Sequence, residues 1–382
     1  MSDPLAEWRV PSVVRKGRGA ISNPAGRFER ETREAVDDGW ARNAARVTEA
    51  NAGQDRGDDE SDDVLPPLAT TVSIDSTRTI IARNDSPDVP FDRSINPYRG
   101  CEHGCVYCYA RPSHAYFGLS SGLDFETRLF AKPDAARLLD AELRRPGYRV
   151  SPIALGTNTD PYQPIERELK ITRQILETLQ RFGHPFTIVT KSALVARDLD
   201  ILAPMAARNL CRVFVSVTTL DRELARTLEP RAATPQRRLG AIGALSAAGV
   251  PTGVMAAPMI PALNDAELEA ILAAAAAAGA RSAGYTVLRL PHEIKDLFVE
   301  WLQTHAPLKA NHVLSLVRET RGGRLNDPQF GSRMRGTGRY AELIAARFRL
   351  ACKRLDLNQN DWRPDVGQFC PPPKDGDQLR LL

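Results

Sequence analysis

The chain has 382 residues, 42% of them hydrophobic and 26% charged, with a formal net charge of +4. That composition fits a soluble globular protein long enough for two domains or one large α/β barrel, and so mild a charge decides nothing about nucleic acid by itself. No apolar run approaches the roughly 18 residues of a membrane helix, and the N-terminus lacks the charged-then-apolar order of a signal peptide, so a cytoplasmic location without a membrane partner is expected.

In chain order, residues 1–65 read as a mostly disordered, poorly packed leader, with Arg-Lys-Gly-Arg-Gly at 15–19 and an acidic run at 55–63. Charge runs with little apolar content cannot offset the entropy of ordering. Only the stretch 27–47 has a helical texture. From residue 70 the pattern alternates well enough for one or two strands. After the cysteine-rich stretch at 101–110, strand candidates at 150–155, 186–190, 212–218, 252–257 and 283–290 alternate with helix candidates at 166–182, 195–207, 234–248, 264–278 and 292–305. That alternation predicts parallel strands joined by helical crossovers. With a first strand before Cys101 there are six β/α units, fewer than the eight of a closed barrel. The Ala-rich helix should end at Gly279. Boundaries follow: leader 1–65, catalytic core 66–306, and a C-terminal extension 307–382 with an Arg-rich segment, a closing helix over 339–355 and a loose tail.

Cys-Glu-His-Gly-Cys-Val-Tyr-Cys-Tyr-Ala, residues 101–110, holds three of the six cysteines as C-x3-C-x2-C. In a reducing compartment, cysteines so close together hold metal or do catalysis rather than pair as disulfides. Structural zinc wants four ligands. Cys101, Cys105 and Cys108 supply three, and His103 or His114 would have to be the fourth. A [4Fe-4S] cluster suits the thiolates better, and three protein ligands leave one iron open for a substrate. Cys211, Cys352 and Cys370 are isolated and read as buried or tail residues.

This loop resembles the cluster-binding loop of the radical S-adenosylmethionine (SAM) superfamily, C-x3-C-x-aromatic-C, with Tyr107 in the aromatic slot. The resemblance implies that Cys101, Cys105 and Cys108 bind a [4Fe-4S] cluster whose open iron is chelated by SAM. Reductive cleavage of SAM would then yield a 5′-deoxyadenosyl radical, with an electron donor such as flavodoxin or ferredoxin. It also implies a fold for residues 93–290, the partial (β/α)6 TIM-type barrel. "TDPYQPIE", "IVTKS", "VSVTTLD" and "LEPRAATPQRRL" are similar to segments of the spore photoproduct lyase-like branch, and "KGRGAISNPAGRFE" to the leader of an uncharacterised bacterial subgroup of it.

Thr157, Asn158 and Asp160 follow an apolar run and should lie at the C-terminal mouth of the second strand, where barrel active sites form. Lys191 ends the third strand and Ser216 lies in the fourth. The resemblance implies that Tyr107, Thr157, Asn158, Asp160, Lys191, Ser216, Glu229 and Arg231 help hold SAM, with Glu229 and Arg231 as an ion-pair element, although Gly-Thr-Asn at 156–158 departs from the Gly-Gly-Glu the superfamily often has there. Tyr109, two residues after Tyr107, is either a substrate-facing, hydrogen-passing catalytic residue or packing. Spore photoproduct lyase proper carries a hydrogen-donating cysteine near the end of the second strand. This chain has Ile-Ala-Leu-Gly-Thr at 153–157, which argues against thymine-dimer repair by that route.

The Arg-rich segment carries Arg318, Arg321, Arg324, Arg333, Arg335 and Arg339 among glycines. It is either a solvated loop or a strip that grips phosphates beside the active site. Together with the resemblance it makes nucleic acid the leading substrate class. An Fe–S redox sensor or a zinc-stabilised binding protein would use the same cysteines without catalysis. A sensor needs a fourth ligand and a nucleic-acid-binding module, and neither is found.

Overall fold

The computed structural model describes residues 12–29 and 68–373. The strands there are β1 (Thr71–Ile74), β2 (Ile81–Arg83), β3 (Arg93–Ile95), β4 (Tyr98–Arg99), β5 (Arg128–Ala131), β6 (Ile153–Leu155), β7 (Phe186–Thr190), β8 (Cys211–Ser216), β9 (Thr252–Met259) and β10 (Ser282–Val287). One seven-stranded sheet runs β10-β9-β8-β7-β6-β3-β2, and a small sheet runs β1-β5-β4. β3 and β6 to β10 are mutually parallel; only β2 is antiparallel, at the edge. The six parallel strands are those of a partial TIM-type barrel, as expected.

Helices α1 (Ala135–Leu143), α2 (Ile171–Arg181), α3 (Leu199–Ala207), α4 (Arg222–Leu228), α5 (Pro235–Ala247), α6 (Leu268–Ala277), α7 (Ile294–His305), α8 (Pro307–Glu319) and α9 (Gly338–Arg354) complete the crossovers and the C-terminal part. Their apolar faces make the core: α2 buries Ile171, Ile175, Leu176 and Leu179, the spacing of one helical stripe. Gly279, at φ +105°, ends the Ala-rich stretch in a backbone conformation that costs glycine least.

Boundaries moved where backbone groups find other partners. β6 begins at Ile153, because Pro152 has no N–H to give a ladder. β10 stops at Val287, where Arg321 Nη2 donates to the carbonyls of Val287 (2.9 Å) and Leu288 (2.5 Å) and Val287 N–H turns to Met334 O (2.9 Å). α8 had a signal, Pro307 at its first turn, that periodicity alone did not raise. The free edge of β10 is covered by Asn358, which accepts from Ala283 N–H (2.8 Å) and donates to Ala283 O (3.0 Å). α9 places Ile344, Phe348, Ala351 and Cys352 in the main core, with Phe348 4.6 Å from Tyr285 between ring centroids.

Much of the expected leader, including the possible helix at 27–47, lies outside the described residues, as does the tail from 374. Residues 12–29 differ from the expectation. Arg18, Ala20 and Ile21 are buried. Their polar groups are met one by one by the segment around Glu126, which local composition could not reveal. Among the described residues no helix is long and apolar enough to cross a membrane.

At the bottom of the barrel His184 is fully buried between Tyr148 Oη (2.8 Å) and Pro185 O (2.9 Å). Burial pushes its pKa down to about 4 from the ordinary 6.5. The unfolded chain therefore binds a proton that the folded chain refuses as pH falls through this window. Stability from His184 is present above about pH 6.5 and is lost toward pH 4, by about 3 kcal/mol at full effect. Denaturant titrations between pH 7 and 4 should show a shallower pH slope for His184→Gln than for the wild type. Parallel slopes would contradict this.

Candidate active site

The cysteine loop leaves β4 through Gly100 and crosses the C-terminal mouth of the sheet. Glycine is required at two points. Gly100 (φ +73°) and Gly104 (φ +68°) turn the chain back under the thiols. Gln163, just beyond β6, pins the entry: its Oε1 accepts from Glu102 N–H (3.0 Å) and its Nε2 donates to Gly100 O (3.2 Å). Val106 N–H donates to Leu228 O at the end of α4 (3.1 Å).

Beneath the loop lies Arg111. It is fully buried and donates to the carbonyls of Cys105 (2.8 Å), Gly104 (3.1 Å), Ser121 (3.1 Å) and Gly122 (2.9 Å), and to the carboxylate of Glu126, itself fully buried. Glu126 also accepts from the N–H groups of Gly19 (2.9 Å) and Ala20 (2.8 Å). Arg18 reaches Glu126 O (2.9 Å), Leu68 O (2.5 Å) and Thr70 Oγ1 (2.9 Å), and Thr70 donates to Glu102 (2.8 Å). The N-terminal segment is thus a strap around the underside of the cysteine loop. At Gly19 a Cβ would overlap the carbonyl oxygen of Gly104.

Cys101 and Cys105 are buried, Cys108 is partly so, and none is in a disulfide. Burial pushes the thiols of Cys101 and Cys105 up, helped by Asp160 at the first and Glu229 at the second. The conceivable fourth zinc ligands point elsewhere. His103 Nδ1 lies 3.3 Å from Asp160, and His114 Nε2 lies 3.0 Å from Arg128 O. Among the described residues no three His, Cys, Asp or Glu side chains gather at a single-ion position.

Two networks organise the mouth. In the first, Tyr107 Oη donates to Glu229, and Thr218 Oγ1 donates to the same oxygen (2.6 Å). Arg238 pairs with the other oxygen of Glu229, and Lys191 Nζ lies 3.9 Å from Glu229 and 5.7 Å from the centre of the Tyr107 ring. Burial alone would raise the Glu229 pKa; the Arg238 and Lys191 charges outweigh it and hold it at about 2. In the second, Asp160 accepts from Thr190 Oγ1 (2.7 Å), Tyr162 N–H (2.9 Å) and Lys191 N–H (2.7 Å), and faces His103. Here too burial is outweighed, by His103 first, and the pKa stays at about 2.

Tyr107, Lys191 and Glu229 are therefore brought together. Thr157 lies at the same mouth; its carbonyl accepts from Tyr109 Oη, while Asn96 Oδ1 accepts from Asn158 N–H (2.9 Å). Ser216 is buried at the end of β8, and its carbonyl accepts from Arg238 Nη1 (3.1 Å). The expected Glu229–Arg231 ion pair does not form. Arg231 instead lies 3.2 Å from Glu102, and Arg238 is the partner of Glu229. Arg238 shares the buried face of α5 with Pro235, Ala241, Ile242 and Leu245, a periodicity that could have singled it out. Arg111, Glu126, Gln163 and Thr218 carry no such signal, since their importance comes from distant partners.

Shortening Glu126 to Ala would leave Arg111 charged and buried, so it should destabilise the chain by about 3–5 kcal/mol, and Gly19→Ala by about 1–3 kcal/mol through the clash with Gly104. Urea unfolding of both variants tests this; wild-type stability in Gly19→Ala would show that the strap does not press on the loop.

Comparison with known proteins agrees with this geometry. Residues 95–275 match the family model of the Radical SAM superfamily. An uncharacterized protein of Mycobacterium tuberculosis is 40% identical over 265 residues, which are 69% of this chain and 76% of the relative. One of Methanocaldococcus jannaschii is 28% identical over 173 residues, 45% of this chain and 62% of the relative. Spore photoproduct lyase complexed with dinucleoside spore photoproduct has the same fold at a TM-score of 0.54 and 15% identity, covering 82% of this chain and 91% of that one. A double mutant of that lyase with bound AdoMet and dinucleoside spore photoproduct gives a TM-score of 0.53 over the same shares. A six-strand parallel mouth crossed by a C-x3-C-x-Tyr-C loop, with this family match, is that of an enzyme, and the chain belongs to the radical SAM superfamily.

Proposed function

We propose that Cys101, Cys105 and Cys108 hold a [4Fe-4S] cluster and that the mouth beside them binds SAM. The observation that carries this reading is three thiols on one pinned loop, with each nearby imidazole already engaged at one nitrogen, a donor set one ligand short of tetrahedral zinc. When bound, the cluster with SAM on its open iron supplies one-electron cleavage of SAM to methionine and a 5′-deoxyadenosyl radical, which takes a hydrogen atom from the substrate.

The chain's own residues position these partners. Lys191, at the end of β7, presents an ammonium that Glu229 only partly neutralises, and it is the counter-ion for the SAM carboxylate. Thr157 and Asn158 offer polar groups at the end of β6. Asp160, Glu229 and Arg231 act through neighbours: Asp160 orients His103 and the Lys191 backbone, Glu229 orients Tyr107, and Arg231 ties down Glu102. The half-exposed Tyr109 lies across the mouth, where it faces substrate as the hydrogen-passing residue.

A nucleic acid or nucleotide is the substrate class we propose, supported by Arg289 beside Tyr109 at the mouth and by the fold shared with a lyase complexed with dinucleoside spore photoproduct. Repair through a cysteine at the end of β6 is not part of the proposal, since Ile153 to Thr157 provide none. A small one-electron carrier such as flavodoxin or ferredoxin would reduce the cluster, in the cytoplasm.

Anaerobic reconstitution should yield about four irons per chain. Reduction with dithionite in the presence of SAM should release 5′-deoxyadenosine, and Cys105→Ala should abolish it. Stoichiometric zinc in place of iron, or undiminished product from Cys105→Ala, would overturn the reading. Lys191→Met should weaken SAM binding about tenfold by equilibrium dialysis, the loss expected for one charge-assisted contact.

A further inference from the structure

The Arg-rich segment resolves into residues with different partners. Arg321 is buried and spends its guanidinium on four carbonyls, those of Val287, Leu288, Ser332 and Arg333. Arg333 is paired with Asp88 and donates to Ser86 Oγ (2.6 Å). Both arginines are occupied by the fold, and neither is free for a ligand.

What they surround is Arg289, just past the end of β10, a residue outside the Arg-rich segment. Its guanidinium carbon lies 5.8 Å from the centre of the Tyr109 ring, and its Nη1 meets only the soft sulfur of Met334 (3.4 Å). Its Nε is buried with no hydrogen-bond partner, and no carboxylate among the described residues forms an ion pair with it. Burial and the nearby Arg333 charge weaken its hold on the proton, and Tyr109 and the Asp88 carboxylate, which is already paired with Arg333, offset this only in part. A half-buried guanidinium beside another guanidinium is poorly satisfied when the nearby carboxylate is already paired with that neighbour. Tyr109 bridges this arginine to Thr157 across the mouth. Arg289 therefore lies beside the residue placed against substrate, on the opposite side from Lys191.

We infer that Arg289 anchors an anion subsite on the β10 side of the mouth and that its ligand is a phosphate group of the substrate. Phosphate is favoured over carboxylate because the Arg333 guanidinium stands close by, and a second cation suits a doubly charged oxyanion better than a singly charged one. The inference deepens the proposed function by giving the substrate its recognised group, and it rests on that reading for the reaction.

The test uses the reconstituted protein with 5′-dTMP, a short oligothymidylate, inorganic phosphate and glutarate as probes, read by thermal melting and equilibrium dialysis. Without ligand, Arg289→Gln should melt above the wild type, because an unpaired buried charge has been removed; an arginine serving only the fold would shift melting downward. The two nucleotide probes should stabilise the wild type, with binding that weakens as salt rises. The same variant should bind them about tenfold more weakly, as one lost charge-assisted contact implies, and Arg289→Lys should restore part of the loss. Arg339→Gln, at an exposed position of α9, should behave as wild type. The inference is overturned if Arg289→Gln melts lower or does not fold, if it binds the nucleotides as well as the wild type, or if only glutarate or only inorganic phosphate binds. Iron content and deoxyadenosine release from the same preparation report separately on the cluster. Arg289-dependent nucleotide binding by protein that takes up no iron would keep the subsite and sink the radical reading.

Discussion

Arg111 and Glu126 form a fully buried ion pair under the cysteine loop, and the rest of the site depends on it. A buried pair contributes little net stability compared with well-packed apolar side chains, because both charges leave water. Here it does something apolar groups cannot. One guanidinium fixes four carbonyls of an irregular segment whose backbone has no ladder partners, and one carboxylate gathers two N–H groups from a segment more than a hundred residues earlier. Loops that bend as tightly as residues 100–110 leave backbone groups unpaired, and this pair answers them.

Around that anchor the protein manages negative charge. Glu126, Asp160 and Glu229 are three carboxylates packed near three thiols, and each is met by cations or N–H donors that belong to the fold: Arg111, His103 and Arg238. Asp160 and Glu229 stay ionised although buried, held so by those partners. Two cations at the mouth are left less satisfied. Lys191 stands 3.9 Å from an acid already paired with Arg238, and Arg289 forms no ion pair among the described residues. On the proposed reading, in which the mouth receives SAM and a phosphate-bearing substrate, these are the positions where incomplete neutralisation has a use.

Much of this was legible along the chain. The parallel strands were read from apolar runs because the strands of a parallel sheet are buried on both faces. Gly279 and the closing helix followed from propensity. The cysteine spacing with Tyr107 carried the family resemblance, and Lys191 was singled out because it closes a buried strand. β10 was overextended because the groups that end it, on Arg321 and Met334, come from more than thirty residues later. Glu229 was placed in an ion pair with the right chemistry and the wrong arginine: Arg231 is nearer in sequence, but α5 turns Arg238 inward and leaves Arg231 at the surface.

By itself the sequence determined the β/α order, the three thiols and the polar residues at strand ends. All of these are local facts, set by side-chain periodicity of two or 3.6 residues and by ligand spacing within one loop. Only the tertiary structure decided that residues 18–20 grip the underside of the cysteine loop, that Arg321 and Arg333 are consumed by the fold, and that Arg289 stands beside Tyr109 while the nearby Asp88 is paired with Arg333. Whether a charge is free is a property of everything packed against it, and those neighbours come from distant parts of the chain.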